Sequence, residues 1–360
     1  MTSLSDKIHA VIAAAGGWLP FDRFMAMALY EPGLGYYTGG RRKFGTMPSQ
    51  GSDFVTAPEM SPLFGRALAR QVAQAFAASG CREVMEFGAG SGALAAHLIA
   101  ELDMLDAGLV RYRIVELSAE LRERQQERLA PWQGRVEWLD ALPEHIEAVV
   151  VGNEVLDAMP VQLIAFDGQV WRERGVVSSA DGFAFADRDS PLRPPVDTGF
   201  VPGTVTEIHP QAEAFTQTLA RALKRGAAFF IDYGFPEAEY YHPQRHGGTL
   251  MCHQGHLADP DPLVAVGAKD ITAHVNFTCI ALAGQDAGLT VLGYTSQANF
   301  LLNCGIADLL ADASFSERTM AHRLLAEHEM GELFKVVGFA PQNGVFDALG
   351  FGRGDRSHKL

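Results

Sequence analysis

Three glycines in seven residues, Glu86-Phe87-Gly88-Ala89-Gly90-Ser91-Gly92, constrain this chain more than any other stretch. Ahead of them, 83–87 is a short, mostly apolar run fit for a buried strand. Behind them, Leu94-Ala95-Ala96-His97-Leu98-Ile99-Ala100 carries apolar residues at helical spacing. Strand, glycine turn and helix together make a nucleotide-binding turn. Glycine lets the chain reverse sharply and lets a ligand approach the backbone. The helix beyond presents free N–H groups and the positive end of its dipole.

Two ligands fit such a turn. Read as G-x-G-x-x-A, the stretch matches a dinucleotide fingerprint. Read as E-x-G-x-G-x-G, with Gly88, Gly90 and Gly92 as the backbone of the site, it matches an S-adenosyl-L-methionine (SAM) turn. Three acids favour the second reading. Glu86 stands two residues before the first glycine, where it could accept from the cationic amino group of the methionine moiety and would repel a pyrophosphate. Glu116 ends a second expected strand, 111–116, and suits two ribose hydroxyls. Asp140 follows a third, 136–138, and is expected to face the adenine amino group.

The alternation around this turn predicts an α/β fold with a parallel sheet covered on both faces. Strands are expected at 83–87, 111–116, 136–138 and 147–152, with helices at 91–104 and 118–130. Ligands of such sheets bind beyond the carboxyl ends of the strands, near the switch point. The fourth strand runs into Gly152-Asn153-Glu154-Val155-Leu156-Asp157, so Asn153, Glu154 and Asp157 are expected at the donor's reacting end. Turn and cap chemistry, which Asn and Asp also favour, is the competing reading.

The other segments arrange themselves about this core. Residues 1–80 read as a helical arm and lid, with helices at 4–15, 21–30 and 62–78 and a glycine-rich loop from Gly33 to beyond Gly51. Residues 81–160 are the first half of the core. An inserted antiparallel β subdomain is expected at 161–205, where two strand-like runs flank Asp167-Gly168. The second half, 206–350, includes a strand at 227–234 ending in Asp232-Tyr233, a histidine-rich loop (His242, His246, His253, His256) and a helix over about 316–330. That histidine spacing matches no zinc pattern, so the loop reads as a cover for the active site and not as a metal centre. Residues 351–360 read as a flexible tail.

The formal net charge of -14 argues against a nucleic-acid partner. Four cysteines without CxxC pairing read as reduced thiols of a cytoplasmic protein. No apolar run is long enough for membrane insertion.

Several stretches, in one order along almost the whole chain, resemble the MidA-like SAM-dependent methyltransferases, the family of a mitochondrial complex I assembly factor. They are Ala28 to Tyr37, Gly51 to Gly65, Glu86 to Gly92, Gly152 to Pro160, Thr206 to Pro210, Ile231 to Phe235 and Asp270 to Val275. Ala57 stands where the family usually has serine. The resemblance implies a class I (Rossmann-like) methyltransferase fold, SAM as methyl donor, and a protein substrate: an arginine of a respiratory complex I subunit.

Chemistry then sorts the acids. A guanidinium is a poor nucleophile that stays charged. Carboxylates gripping it in a bidentate way orient the attacking nitrogen. Glu154 and Asp157 are the first candidates, and Asp232 and Glu207 the secondary ones. Two other classes stay open: a SAM-binding assembly chaperone without catalysis, and a dinucleotide-dependent oxidoreductase.

Overall fold

The computed structural model describes residues 3–39, 55–197 and 199–360. Most of the expected glycine-rich loop, 40–54, lies outside the described residues.

Eight strands form the central sheet: β1 (Glu83–Phe87), β2 (Arg111–Val115), β3 (Val136–Leu139), β4 (Ile146–Asn153), β5 (Leu223–Phe235), β6 (Leu289–Ser296), β7 (Phe334–Pro341) and the short Val275–Asn276, which pairs with the end of β5 off the main path. Their order is β3-β2-β1-β4-β5-β7-β6. The first five run parallel, and β7 runs antiparallel to both β5 and β6. The order reverses between β1 and β4, where Phe87 pairs with Gly152. The glycine turn and the Asn153–Asp157 segment therefore leave the sheet side by side.

Apolar residues on both faces explain why these strands are central. Val84, Val149 and Val151 pack beneath the helices Pro62–Ser79 and Ala93–Met104. Met85, Ala148 and Val150 pack beneath Pro210–Ala222 and Phe277–Asp286. Alternate residues of one strand thus feed opposite cores, each large side chain contributing roughly 1.5–3 kcal/mol by burial. The helix Pro62–Ser79 begins where the sequence predicts: the Ser61 hydroxyl accepts from the Leu63 N–H at 3.3 Å, with proline at the first position.

A second, five-stranded antiparallel sheet joins Gln162–Phe166, Trp171–Ser179, Gly182–Asp189 and Val205–Ile208 with Leu19–Pro20 of the arm. It reaches beyond 161–205 at both ends: Leu19–Pro20 of the arm pairs with Trp171–Ser179, and Val205–Ile208 pairs with Gln162–Phe166. Leu4, Ile8, Phe21 and Phe24 share a core with Leu163 and Val176.

Three expectations change. The histidine-rich segment is not a plain loop: Met251–Gln254 pairs with Leu257–Asp259 and with Asp270–Thr272. There, Lys269 Nζ reaches Asp259 at 2.8 Å. The helix expected over 316–330 ends as an α-helix at Leu325, since the chain turns extended at Ala326 and leaves helical geometry again at Glu329. The tail expected to be flexible, 351–360, is tied down. Asp355 accepts the Tyr294 N–H at 2.9 Å, Arg356 pairs with Glu332 at 3.0 Å, and the Phe351 ring lies where a Cβ on Gly293 would stand 2.1 Å away. Glycine at 293 leaves room for that ring.

Candidate active site

A cavity of about 910 Å³ opens at the carboxyl ends of β1, β2, β4 and β5. One part of its lining comes from a short stretch of chain. Gly88 (φ +64°) and Gly90 (φ +53°) turn through the left-handed region that glycine allows. At Gly88 a Cβ would also press on Val155 at 3.0 Å. Gly92 (φ +82°) caps the following helix and does not itself line the cavity.

Glu86 is buried at the core of β1 and accepts from the Tyr112 hydroxyl at 2.7 Å. Burial pushes its carboxyl up to about 8, against the pull of that bond. Glu116, just past β2, accepts from the Ser118 N–H at 2.8 Å and from Gln125 Nε2 at 3.0 Å. Burial raises its proton affinity, and these bonds oppose the rise.

The other part of the lining is polar and comes from distant segments. Asn153 ends β4 and Glu154 follows it, and Asn153 Nδ2 donates to Glu154 at 2.9 Å. Glu154 holds a left-handed backbone (φ +54°), uncommon without glycine and a mark of functional sites. Its N–H donates to Ile231 O of β5 at 2.9 Å. Burial, then the neighbouring Asp157, push its carboxyl up to about 8. Asp157 is buried and accepts from the Tyr233 hydroxyl at 2.5 Å. Burial pushes it up to about 6, against that bond. Asn153 Oδ1 and Asp157 Oδ1 are buried with no hydrogen-bond partner among the described residues. Such acceptors call for a donor from a ligand.

Three residues complete this wall that the sequence reading did not single out. Tyr37 donates to both carboxylate oxygens of Asp270, at 2.9 and 3.0 Å, and stacks on Tyr30 with ring centroids 5.4 Å apart. The Tyr30 hydroxyl donates to Ala158 O at 2.9 Å. The available signal was weak: all three lie within the stretches carrying the family resemblance.

Three predicted site acids are placed elsewhere. Asp140 is exposed, paired with Arg122 at 2.6 Å, and outside the cavity lining, because the bend after β3 turns it to solvent. Glu207 is buried but faces away from the cavity; it accepts from Tyr240, from the Thr249 N–H and from the Leu250 N–H at 2.8–3.0 Å. Asp232 points beneath the site. Its Oδ2 accepts the N–H groups of Val155, Leu156 and Asp157 at 3.1, 2.9 and 3.3 Å. It shapes the turn that carries Glu154 and Asp157 and does not line the cavity. Asp232 therefore supplies the capping that the competing reading gave to Asp157.

Among the described residues, no group of three His, Cys, Asp or Glu side chains is placed for a metal. No helix among them is long and apolar enough to cross a membrane.

A profile of S-adenosyl-L-methionine-dependent methyltransferases matches residues 67–295. A Burkholderia thailandensis protein, solved bound to S-adenosyl-homocysteine, is 54% identical, with a TM-score of 0.96 over 99% of this chain and 96% of that one. The mouse protein arginine methyltransferase NDUFAF7, mitochondrial, is 26% identical and matches 90% of this chain and 81% of its own. Its Drosophila melanogaster homolog is also 26% identical, over 94% of this chain and 85% of its own. The cavity fits S-adenosyl-L-methionine, the methyl donor the family description names: a turn with room for close backbone approach, buried acids on either side, and unpartnered acceptors at its far end. The chain belongs to the MidA-like family of SAM-dependent methyltransferases.

Proposed function

We propose that this methyltransferase acts on arginine side chains of a protein. The observation that carries the reading is the gathering of Glu154, Asp157 and Asp270, with Tyr30, Tyr37 and Tyr233, in one cavity with the glycine turn. Three carboxyls crowded in a largely buried wall suit a cationic ligand, which would relieve the burial and mutual repulsion that push Glu154 and Asp157 up. A guanidinium, planar and forked, matches paired carboxylates better than a point ammonium does.

SAM supplies the methyl group. Glu86 is assigned to its amino group, Glu116 to its ribose hydroxyls, and Gly88 and Gly90 to close backbone contact. Asn153 stands between these groups and the acid wall. Glu154 and Asp157 grip the guanidinium, fix the nitrogen that attacks, and hold the positive charge on the rest of the group. The proton leaving the alkylated nitrogen passes to Glu154, whose raised proton affinity suits a base working near neutral pH.

The names of the curated relatives support arginine as acceptor. We extend the reading to a respiratory complex I subunit as the protein substrate, as the sequence resemblance implies. The free cysteines support a cytoplasmic setting.

The test is incubation with labelled SAM and complex I subunits, followed by hydrolysis and amino-acid analysis. Label in methylarginine is the expected result. Label in another residue type overturns the arginine assignment, and SAM binding without transfer to any protein returns the chain to the assembly-chaperone reading.

A further inference from the structure

We propose that Gln125 is a positioning residue for the donor, locking the glycine turn to Glu116. Gln125 lies in the helix Ala119–Arg128 and is fully buried in an otherwise polar segment. Its Nε2 donates to Gly90 O at 2.9 Å and to Glu116 Oε2 at 3.0 Å. Its Oε1 accepts from Trp138 Nε1 at 2.9 Å. One amide therefore joins the segments that leave β1 and β2 to a side chain of β3.

The orientation of the amide follows from its partners. Turned over, it would set an oxygen against a carbonyl and a carboxylate, and an NH₂ against an indole N–H. Only one orientation satisfies all three. The backbone agrees with this. A Cβ on Gly92 would stand 3.5 Å from both Cα and Cγ of Gln125, so the helix carrying Gln125 seats directly on the turn.

The bond to Glu116 has a chemical consequence. Burial pulls Glu116 toward its neutral form, and an N–H donor pulls it back toward the carboxylate. Gln125 thus aims Glu116 and favours its acceptor form while fixing the carbonyl of Gly90. Its role is in donor affinity and not in the transfer step.

The experiment is calorimetric titration of the whole protein with S-adenosyl-homocysteine, alongside thermal melts. Gln125→Met keeps the length and removes every polar contact. Affinity should fall about tenfold, the weight of a hydrogen bond to a charged group, and kcat at saturating SAM should stay near the wild-type value. Gln125→Glu gives a signature that packing alone does not. Ionised, it faces the Gly90 carbonyl and Glu116 with no donor; protonated, it can donate once. Its affinity should therefore recover as pH falls from about 8 to about 6, in the range where a buried glutamate beside another acid regains its proton. A folded Gln125→Met protein with wild-type affinity overturns the proposal, and so does a Gln125→Glu affinity with the wild-type pH dependence. If both variants fail to fold, Trp138→Phe frees the amide without touching the turn. A loss of about threefold in affinity then supports the lock, and unchanged affinity overturns it.

Discussion

The two sides of the cavity are built in opposite ways. The donor side comes from one run of chain, Glu86 to Gln125, with a strand, a turn and a helix held in register by their own neighbours. The acceptor side is assembled from the arm, the end of β4, the end of β5 and the Asp270 strand. Tyr37 and Asp270, which touch, are 233 residues apart. A locally built site needs few contacts between distant parts of the chain. A site gathered from afar exists only when every part has docked, so changes of sequence there act on stability and specificity together.

The largest expected effect tests the acceptor side. Glu154→Gln and Asp157→Asn keep shape and remove charge. Each should lower kcat/KM for the arginine-bearing substrate by about 10²–10³, or 3–4 kcal/mol of transition-state stabilisation, and leave S-adenosyl-homocysteine affinity unchanged. Single-turnover transfer and calorimetry read the two quantities separately. Wild-type transfer in both variants would erase the distinction between the two sides.

Glu116→Ala should give the opposite signature, a donor affinity about 30–150-fold weaker, corresponding to roughly 2–3 kcal/mol, with a folded protein. A loss below about threefold would remove Glu116 from the donor site.

Asp232→Asn sharpens the comparison from below. The carboxylate accepts three N–H groups of the turn through one oxygen, and the Tyr233 N–H at 3.0 Å through the other. Asparagine cannot accept at both positions, so about 1.5–3 kcal/mol of stability should be lost. The melting temperature should fall while donor affinity holds. An unchanged melt would mean that the turn stands without this support.

The last effect is one of pH. Glu154 and Asp157 are pushed up in the folded chain to about 8 and about 6. Over that window the folded state binds more protons than the unfolded one, so stability is fullest near the ordinary carboxyl range and declines as pH rises toward 8. Melts between about pH 5 and 8 should fall by a few degrees. The Glu154→Gln and Asp157→Asn double variant should flatten part of the slope, leaving the share of Glu86, which is pushed up to about 8 as well. A slope unaltered in the double variant would place the titration elsewhere.

The same contrast explains what was legible in the sequence. Central strands and the glycine turn follow from apolar runs and from residues that only glycine replaces well, and both are local signals. The acids at strand ends were harder to sort. An acid near a strand's carboxyl end looks the same whether it meets a ligand, as Glu116 is placed to do, or holds a neighbouring turn, as Asp232 does, or faces water, as Asp140 does. Glu207 reads as a site acid until the residues 249–250 that saturate it are in place. Gln125 lies on the helix face marked by Leu121 and Leu129, four residues to either side, but a glutamine there carries no apolar signal of its own, so its partners Gly90, Glu116 and Trp138 are visible only after the sheet is built. Tyr30, Tyr37 and Asp270 depend on contacts across most of the chain, which periodicity does not report.

The N-terminal helices share their core with the second sheet, yet Tyr30 and Tyr37 reach the cavity. On the proposed reading, part of the acceptor wall is thereby mounted on a unit with its own core, apart from the glycine turn. Descent with modification could retailor that unit, exchanging one protein client for another, while the donor cradle is inherited intact. Chimeras that graft the arm and second sheet of one family member onto the core of another should carry client preference with the graft and leave SAM affinity with the core.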